Sequence, residues 1–131
     1  MTNKARQRMD SINRGARLED MPLRVAIYAR VSTESEEQRK SIQNQIETYR
    51  SMIEENPNWQ YVGLYSDEGI TGTRMDIRDQ FNTMIEDARR GKMDLVITKS
   101  VSRFARNLKD FLEVVDKLKD LGVIVKFDEE H

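Results

Sequence analysis

An α/β domain, with a mostly parallel sheet carrying helices on both faces, is the fold class this sequence predicts. Three observations lead there. Four short apolar runs, at 23–29, 59–65, 93–98 and 123–127, alternate with three segments of helical periodicity. Each helical segment is long enough to serve as the crossover that parallel neighbours require. Two of the runs, Val25-Ala26-Ile27 and Leu95-Val96-Ile97, are apolar without alternation, as in strands buried on both faces.

Residues 1–22 are polar, with Lys4, Arg6, Arg8, Arg14 and Arg17 and few apolar anchors. They read as a basic, mobile arm ahead of a domain over 23–131, with Met21-Pro22 closing the arm because a residue before proline is pushed out of helix. The first strand covers 23–29. From Glu37 to Glu55, Ile42, Ile46, Tyr49 and Ile53 recur at steps of four, three and four, one stripe of a helix that Asn56-Pro57-Asn58 ends. Trp59 to Tyr65 is the second strand, and Asp67 to Arg74 a glycine- and threonine-rich loop without the glycine-lysine pair of a phosphate-binding loop. Asp76 is placed to cap a helix reaching Arg90, with Phe81, Met84, Ile85 and Ala88 inward and Gly91 as its stop. Met93 to Thr98 is the third strand and Lys99 to Arg106 a basic loop. A helix from Asn107 to Leu121 follows, with Leu108, Phe111, Leu112, Val115 and Leu118 on one face. Gly122 ends it, and Val123 to Phe127 is the fourth strand.

Composition excludes several chemistries. The 131 residues suit one domain, with 34% charged and 37% apolar residues and a net charge of −1. No window approaches the ~20 apolar residues of a membrane helix, and the N-terminus lacks a signal-peptide core, so a cytoplasmic location is expected. There is no cysteine, which removes disulfides, thiolate nucleophiles and cysteine metal sites. The single histidine is the last residue, His131, poorly placed for a buried base. A near-neutral domain that acts on nucleic acid needs local positive charge or further protein.

In a parallel sheet all strands point their carboxyl ends at one rim, where open α/β folds place their chemistry. That rim should receive Arg30 and Ser32 from the first strand, Asp67 and Glu68 from the second, and Lys99, Arg103 and Arg106 from the third. Arg78, in the first turn of its helix, joins them. Two bland readings stand beside this one: Ser32 or Thr33 caps the next helix, and the arginines pair with Asp76, Asp79 and Asp110 as solvated surface charges. Four arginines converging on one hydroxyl suit an anionic phosphoryl centre better, because each guanidinium fork binds two phosphate oxygens. The implied chemistry is phosphoryl transfer to Ser32 by charge stabilisation and positioning. Asp67, Glu68 and Asp94 leave a metal-dependent nuclease-like domain open, and Asp67 with Lys99 leaves open a non-catalytic flavodoxin-like or receiver-like module. A receiver would want an acidic pair after the first strand, where this chain has Arg30 and Ser32.

Tyr28-Ala29-Arg30-Val31-Ser32-Thr33, the segment from Ser41 to Glu47, Asp67-Glu68-Gly69 with Thr71-Gly72, and Ser102-Arg103-Phe104-Ala105-Arg106-Asn107 together resemble the catalytic domain of serine recombinases, the resolvase and invertase class. The likeness is nearest to large serine integrases and conjugative-transposon recombinases and covers about 23–128. It implies a resolvase-like fold and makes Ser32 the nucleophile on a DNA phosphodiester, giving a 5′-phosphoserine link and a free 3′-hydroxyl. It implies that Arg30, Arg78, Arg103 and Arg106 bind the phosphate, with Tyr28, Gln45 and Asp67 in supporting positions and Lys99 beside them. It further implies DNA as partner, strand exchange within a homotetramer built from dimers, no metal or nucleotide cofactor, and a catalytic portion of a longer protein. Three positions depart from the pattern. Arg78 is followed by Asp79-Gln80, with Arg74 as a rival for its role; Ser102 stands where the resolvase branch has an aspartate; and Asp87 stands where that branch has a lysine.

Overall fold

The computed structural model describes residues 2–32, 35–69, 79–99 and 108–128. Its elements are α1 (Asn3–Asn13), β1 (Leu23–Ser32), α2 (Glu36–Glu55), β2 (Trp59–Gly69), α3 (Asp79–Arg89), β3 (Leu95–Thr98), α4 (Leu108–Asp120) and β4 (Ile124–Phe127). The strands form one four-stranded sheet in the order β2-β1-β3-β4, and every neighbouring pair is parallel. The predicted α/β class with a parallel sheet is therefore the observed one.

Alternation along the central strand sorts the core into two layers. Val25 and Ile27 of β1 and Leu95 and Ile97 of β3 pack with Tyr49 and Ile53 of α2 on one face. Ala26, Tyr28 and Val96 pack on the other face with Phe81, Met84, Ile85 and Ala88 of α3 and Leu118 of α4. Ile27, Leu95 and Ile97 are fully buried, each such side chain contributing about 1.5–3 kcal/mol of transfer free energy. The helices α1, α3 and α4 end alike. Gly15, Gly91 and Gly122 take positive φ of 97°, 72° and 84°. In each case the next amide reaches back five residues: Ala16 to Ser11, Lys92 to Asp87 and Val123 to Leu118.

Four differences from the sequence reading have physical causes. The strands β1 and β2 run past 29 and 65 to Ser32 and Gly69, because each supplies the other's ladder partners, with Arg30 opposite Asp67 and Ser32 opposite Gly69. Polar residues there read as loop, yet main-chain pairing needs no apolar side chain. The described cap of α2 is Ser35, further along the chain than the capping reading places it, its Oγ accepting from the Gln38 amide at 3.2 Å. Leu112, expected to face inward, is 51% exposed; the buried stripe of α4 runs through Val114, Val115 and Leu118 to Leu121 and leaves it to one side.

The fourth difference is the largest. Residues 1–22, read from composition as a mobile arm, instead carry α1 and a turn of 3-10 helix over Leu18–Asp20. Thr2 caps α1 and Ala5 is buried. Arg8 donates to the Gly122 carbonyl at 2.9 Å and pairs with Asp94 at 3.3 Å. The Trp59 indole donates to the Leu18 carbonyl, and the Asn56 and Asn58 amides donate to the Glu19 carbonyl. Hydrogen bonds rather than an apolar stripe hold this segment, which is why periodicity did not reveal it.

Candidate active site

The connection β1-α2-β2 moves to one side of β1, and the next crossover carries β3 to its other side. The direction of winding reverses between β1 and β3, so their carboxyl ends diverge into a crevice, the place where open α/β sheets bind ligands. Here that crevice is lined by Tyr28, Ala29 and Arg30 of β1, Ile42, Gln45, Ile46 and Tyr49 of α2, and Thr98 and Lys99 at the end of β3. Its volume of about 10 Å³ is barely that of one water.

The expected site residues fall into four groups. Arg30, Gln45 and Lys99 come together around the crevice. Tyr28 and Asp67 meet directly: the Tyr28 hydroxyl donates to Asp67 Oδ2 at 2.9 Å, and both residues are buried. Ser32 is the last residue of β1, two positions beyond Arg30 on the same strand end. Arg78, Arg103 and Arg106 lie outside the described residues, as does Arg74.

Asp67 accepts hydrogen bonds on both of its carboxylate oxygens. Besides Tyr28, its Oδ1 accepts from the Gln80 amide at 2.8 Å and its Oδ2 from the Phe81 amide at 3.0 Å. A carboxylate 3% exposed would be costly without partners, and three donors supply them. Two of these donors are otherwise orphaned amides in the first turn of α3. The Tyr28 ring meets the Phe81 ring edge-on at 5.3 Å between centroids, so the same pair of residues closes the pocket around the carboxylate. Further along β2, the Tyr65 hydroxyl donates to Asp87 near the end of α3 at 2.5 Å. Burial, reinforced by the Asp87 carboxylate, pushes the Tyr65 phenol well up. Asp87 also faces Lys92 at 3.5 Å, so the residue that departs from the resolvase pattern is used to fasten α3 to β2.

Sequence reading missed two polar groups here. Tyr49 was read as an apolar stripe residue, yet its hydroxyl reaches Asp128 after β4 at 3.2 Å. Thr98 was read as a strand residue only. It is fully buried at the crevice, and its Oγ1 has no hydrogen-bond partner among the described residues. An unpaired buried hydroxyl has no periodic signature.

A doubly wound parallel sheet whose central strand carries Tyr28, Arg30 and Ser32 toward its end, beside a buried Asp67, is an α/β domain without the acidic pair that a receiver would place after its first strand. Comparison with known proteins carries this to a family. The family model described as the N-terminal domain of resolvases matches residues 25–131. A resolvase of Clostridium perfringens is 35% identical over 99 residues, which span 76% of this chain and 46% of that protein. Among solved structures, a resolvase family site-specific recombinase from Streptococcus pneumoniae superposes with a TM-score of 0.70 at 34% identity, covering 82% of this chain and 73% of that one. The N-terminal catalytic domain of TP901-1 integrase superposes with a TM-score of 0.63 at 28% identity, covering 79% and 75% respectively. The chain belongs to the resolvase family of serine recombinases. It spans less than half the length of the Clostridium resolvase.

Proposed function

We propose that this chain is the catalytic domain of a site-specific DNA recombinase in which Ser32 is the nucleophile. The observation that carries the reading is the family match over 25–131, taken with the position of Arg30 and Ser32 at the end of the central strand. In this reading Ser32 Oγ attacks a backbone phosphorus. The P–O bond to the 3′-oxygen breaks, the serine proton is lost to solvent or a neighbouring base, and the departing oxygen takes up a proton as a 3′-hydroxyl. The phosphoseryl ester keeps the energy of the original diester, so attack by a new 3′-hydroxyl rejoins the strand without nucleotide or metal. Arg30, Arg78, Arg103 and Arg106 stabilise the pentavalent phosphorus, and Gln45, Lys99, Tyr28 and Asp67 support them. One preorganised charge contact of this kind is typically worth about 10²–10³ in rate. The partners are DNA and further copies of the protein, a dimer that pairs into a tetramer for strand exchange.

The test is detection of a covalent protein–DNA adduct on denaturing gels, using the full-length protein with chelator present throughout. The wild-type protein should form it. Ser32→Ala should fold and form none, and Arg30→Ala should slow it without moving the cleavage site. Adduct formation by Ser32→Ala, or its abolition by chelator, would refute the reading.

A further inference from the structure

We propose that the cavity between α1 and the amino-terminal rim of the sheet is a binding site for a small phosphomonoester. The proposal is independent of the recombinase reading. It concerns the rim opposite Ser32, and much of the site comes from residues that precede the family match over 25–131.

The first 22 residues cross this rim from one face of the sheet to the other. Leu18 and Met21 pack with Val25 and Trp59 on the α2 side. On the other side, Arg8 of α1 donates to the Gly122 carbonyl beyond the end of α4. Between α1 and the rim lies a cavity of about 370 Å³, within the ordinary range for ligand pockets. Arg24 and Gln60, opposite each other in the β1–β2 ladder, form one wall. Met93 and Asp94, just before β3, form the next, and Thr2, Lys4 and Arg8 close the third. Lys4, Asn58 and Gln60 are exposed, so the cavity opens to solvent. Arg24 lies roughly 26 Å along an extended strand from Ser32, so this cavity is no extension of the crevice.

Charge selects the ligand. Lys4, Arg8 and Arg24 line the cavity against a single acid, Asp94, so its walls carry a surplus of two positive charges. The chain as a whole carries −1. Asp94 is already shared, accepting from Nε and Nη2 of Arg24 and facing Nη2 of Arg8. Among the described residues, Nη1 of both arginines, Nε of Arg8 and the Lys4 ammonium have no hydrogen-bond partner. The first turn of α1 contains no acid to offset Lys4. Guanidinium forks and an ammonium suit phosphate oxygens. A phosphomonoester carries roughly two negative charges at neutral pH and would cancel the surplus, whereas a carboxylate would cancel half of it. The cavity has the volume of about a dozen waters, more than inorganic phosphate fills. Pro22, Met93 and Leu121 offer apolar surface to the rest of an organic phosphate.

Calorimetric titration of the full-length protein with phenyl phosphate, at pH 7 and an ionic strength of about 0.15 M, tests the proposal. Saturable binding is expected, with benzoate about three- to fivefold weaker for want of one charge, and no binding of phenol. Lys4→Gln should weaken phenyl phosphate by a similar factor. Gln60→Trp alters no charge but fills the cavity, and it should abolish binding. Should Gln60→Trp fail to fold, Lys4→Gln keeps the test open, because it changes an exposed side chain without a described partner. The recombinase reading places a phosphate at the crevice too, so each titration is repeated in Arg30→Gln, where the binding assigned here should persist.

A bound phosphate would bridge α1 to β1, so amide hydrogen exchange in the peptide 3–13 should slow at saturation. Unchanged exchange there would overturn the site. So would binding that disappears in Arg30→Gln, binding that Lys4→Gln and Gln60→Trp leave unaltered, or no saturable binding in the millimolar range. Benzoate binding as tightly as phenyl phosphate would overturn the choice of a phosphomonoester. A protein that binds phenyl phosphate as described yet forms no DNA adduct would lose the recombinase reading and keep this site.

Discussion

Replacing Asp94 by asparagine should destabilise the protein by about 2 kcal/mol at neutral pH, and the loss should fade in acid. Asp94 sits at the amino-terminal rim of the sheet, opposite the crevice, with its side chain 8% exposed. It accepts from the Arg24 amide at 2.8 Å, Arg24 Nε at 3.1 Å and Arg24 Nη2 at 2.9 Å, and it faces Arg8 Nη2 at 3.3 Å. Removing one partner of a buried ion pair typically costs about 3–5 kcal/mol, since the other charge is stranded. Here the Arg24 side chain is 43% exposed, so water takes over much of its solvation and the cost shrinks. Arg8 is 11% exposed and its Nε is buried without a partner among the described residues, so water compensates it less than Arg24. Those two conditions give the figure of about 2 kcal/mol, or a fall of roughly 6–10 °C in Tm for a domain of this size. Burial pushes the Asp94 carboxyl up, but the hydrogen bonds from the Arg24 side chain and backbone, with the charges of Arg8 and Arg24, outweigh it and hold the group below its ordinary value. A folded-state value below the unfolded one of about 4 means that the stabilisation is complete above the unfolded value. It is lost as pH falls through the folded value. Urea unfolding at pH 7 and pH 3 measures the gap between wild type and variant, read from midpoints at constant slope. A gap below about 0.5 kcal/mol at pH 7, or one that does not narrow at pH 3, would refute this account of the rim.

Three further substitutions separate structural from chemical roles near the crevice. Thr98→Val removes a fully buried hydroxyl that has no partner among the described residues, so thermal unfolding should find the variant as stable as wild type or up to about 1 kcal/mol more stable. A loss above about 1 kcal/mol would mean that the hydroxyl is bonded after all, for instance to a water in the crevice. Ser35→Ala should cost about 1 kcal/mol as the lost cap of α2, whereas Ser32→Ala should leave the stability within about 0.5 kcal/mol of wild type. The reverse order would restore capping as the job of Ser32.

Much of the architecture could be read directly, because apolar runs and 3.6-residue stripes reflect burial. Val25 to Ile27 and Leu95 to Ile97 have no exposed face, and they occupy the two central strands. Features held by main-chain or side-chain hydrogen bonds were harder to see. The helix α1 carried its own signals, Thr2 as cap and Gly15 at the stop, the same glycine signature that marked Gly91 and Gly122. Without an apolar stripe between them they passed for a polar arm. The rim itself was readable, since strand direction alone sends the ends of β1 and β3 to one side.

The surroundings of Asp67 could not be read in this way. Counting in twos from Trp59 through Tyr61 puts position 67 on the α2 face of an ideal strand. One extra residue at Val62 reverses that parity, and no composition rule marks a bulge within Tyr61-Val62-Gly63-Leu64. Only the resemblance of separate motifs put Tyr28 and Asp67 in one site, and it did so without saying how they meet. The structure supplies the reason: the bulge turns the acidic end of β2 toward α3. There the carboxylate finds two helix amides and a tyrosine hydroxyl, enough donors to be buried at the edge of a crevice lined by Arg30 and Lys99. An acid held in this way has three donors on its two oxygens, beside the positive side chains of Arg30 and Lys99 at the rim.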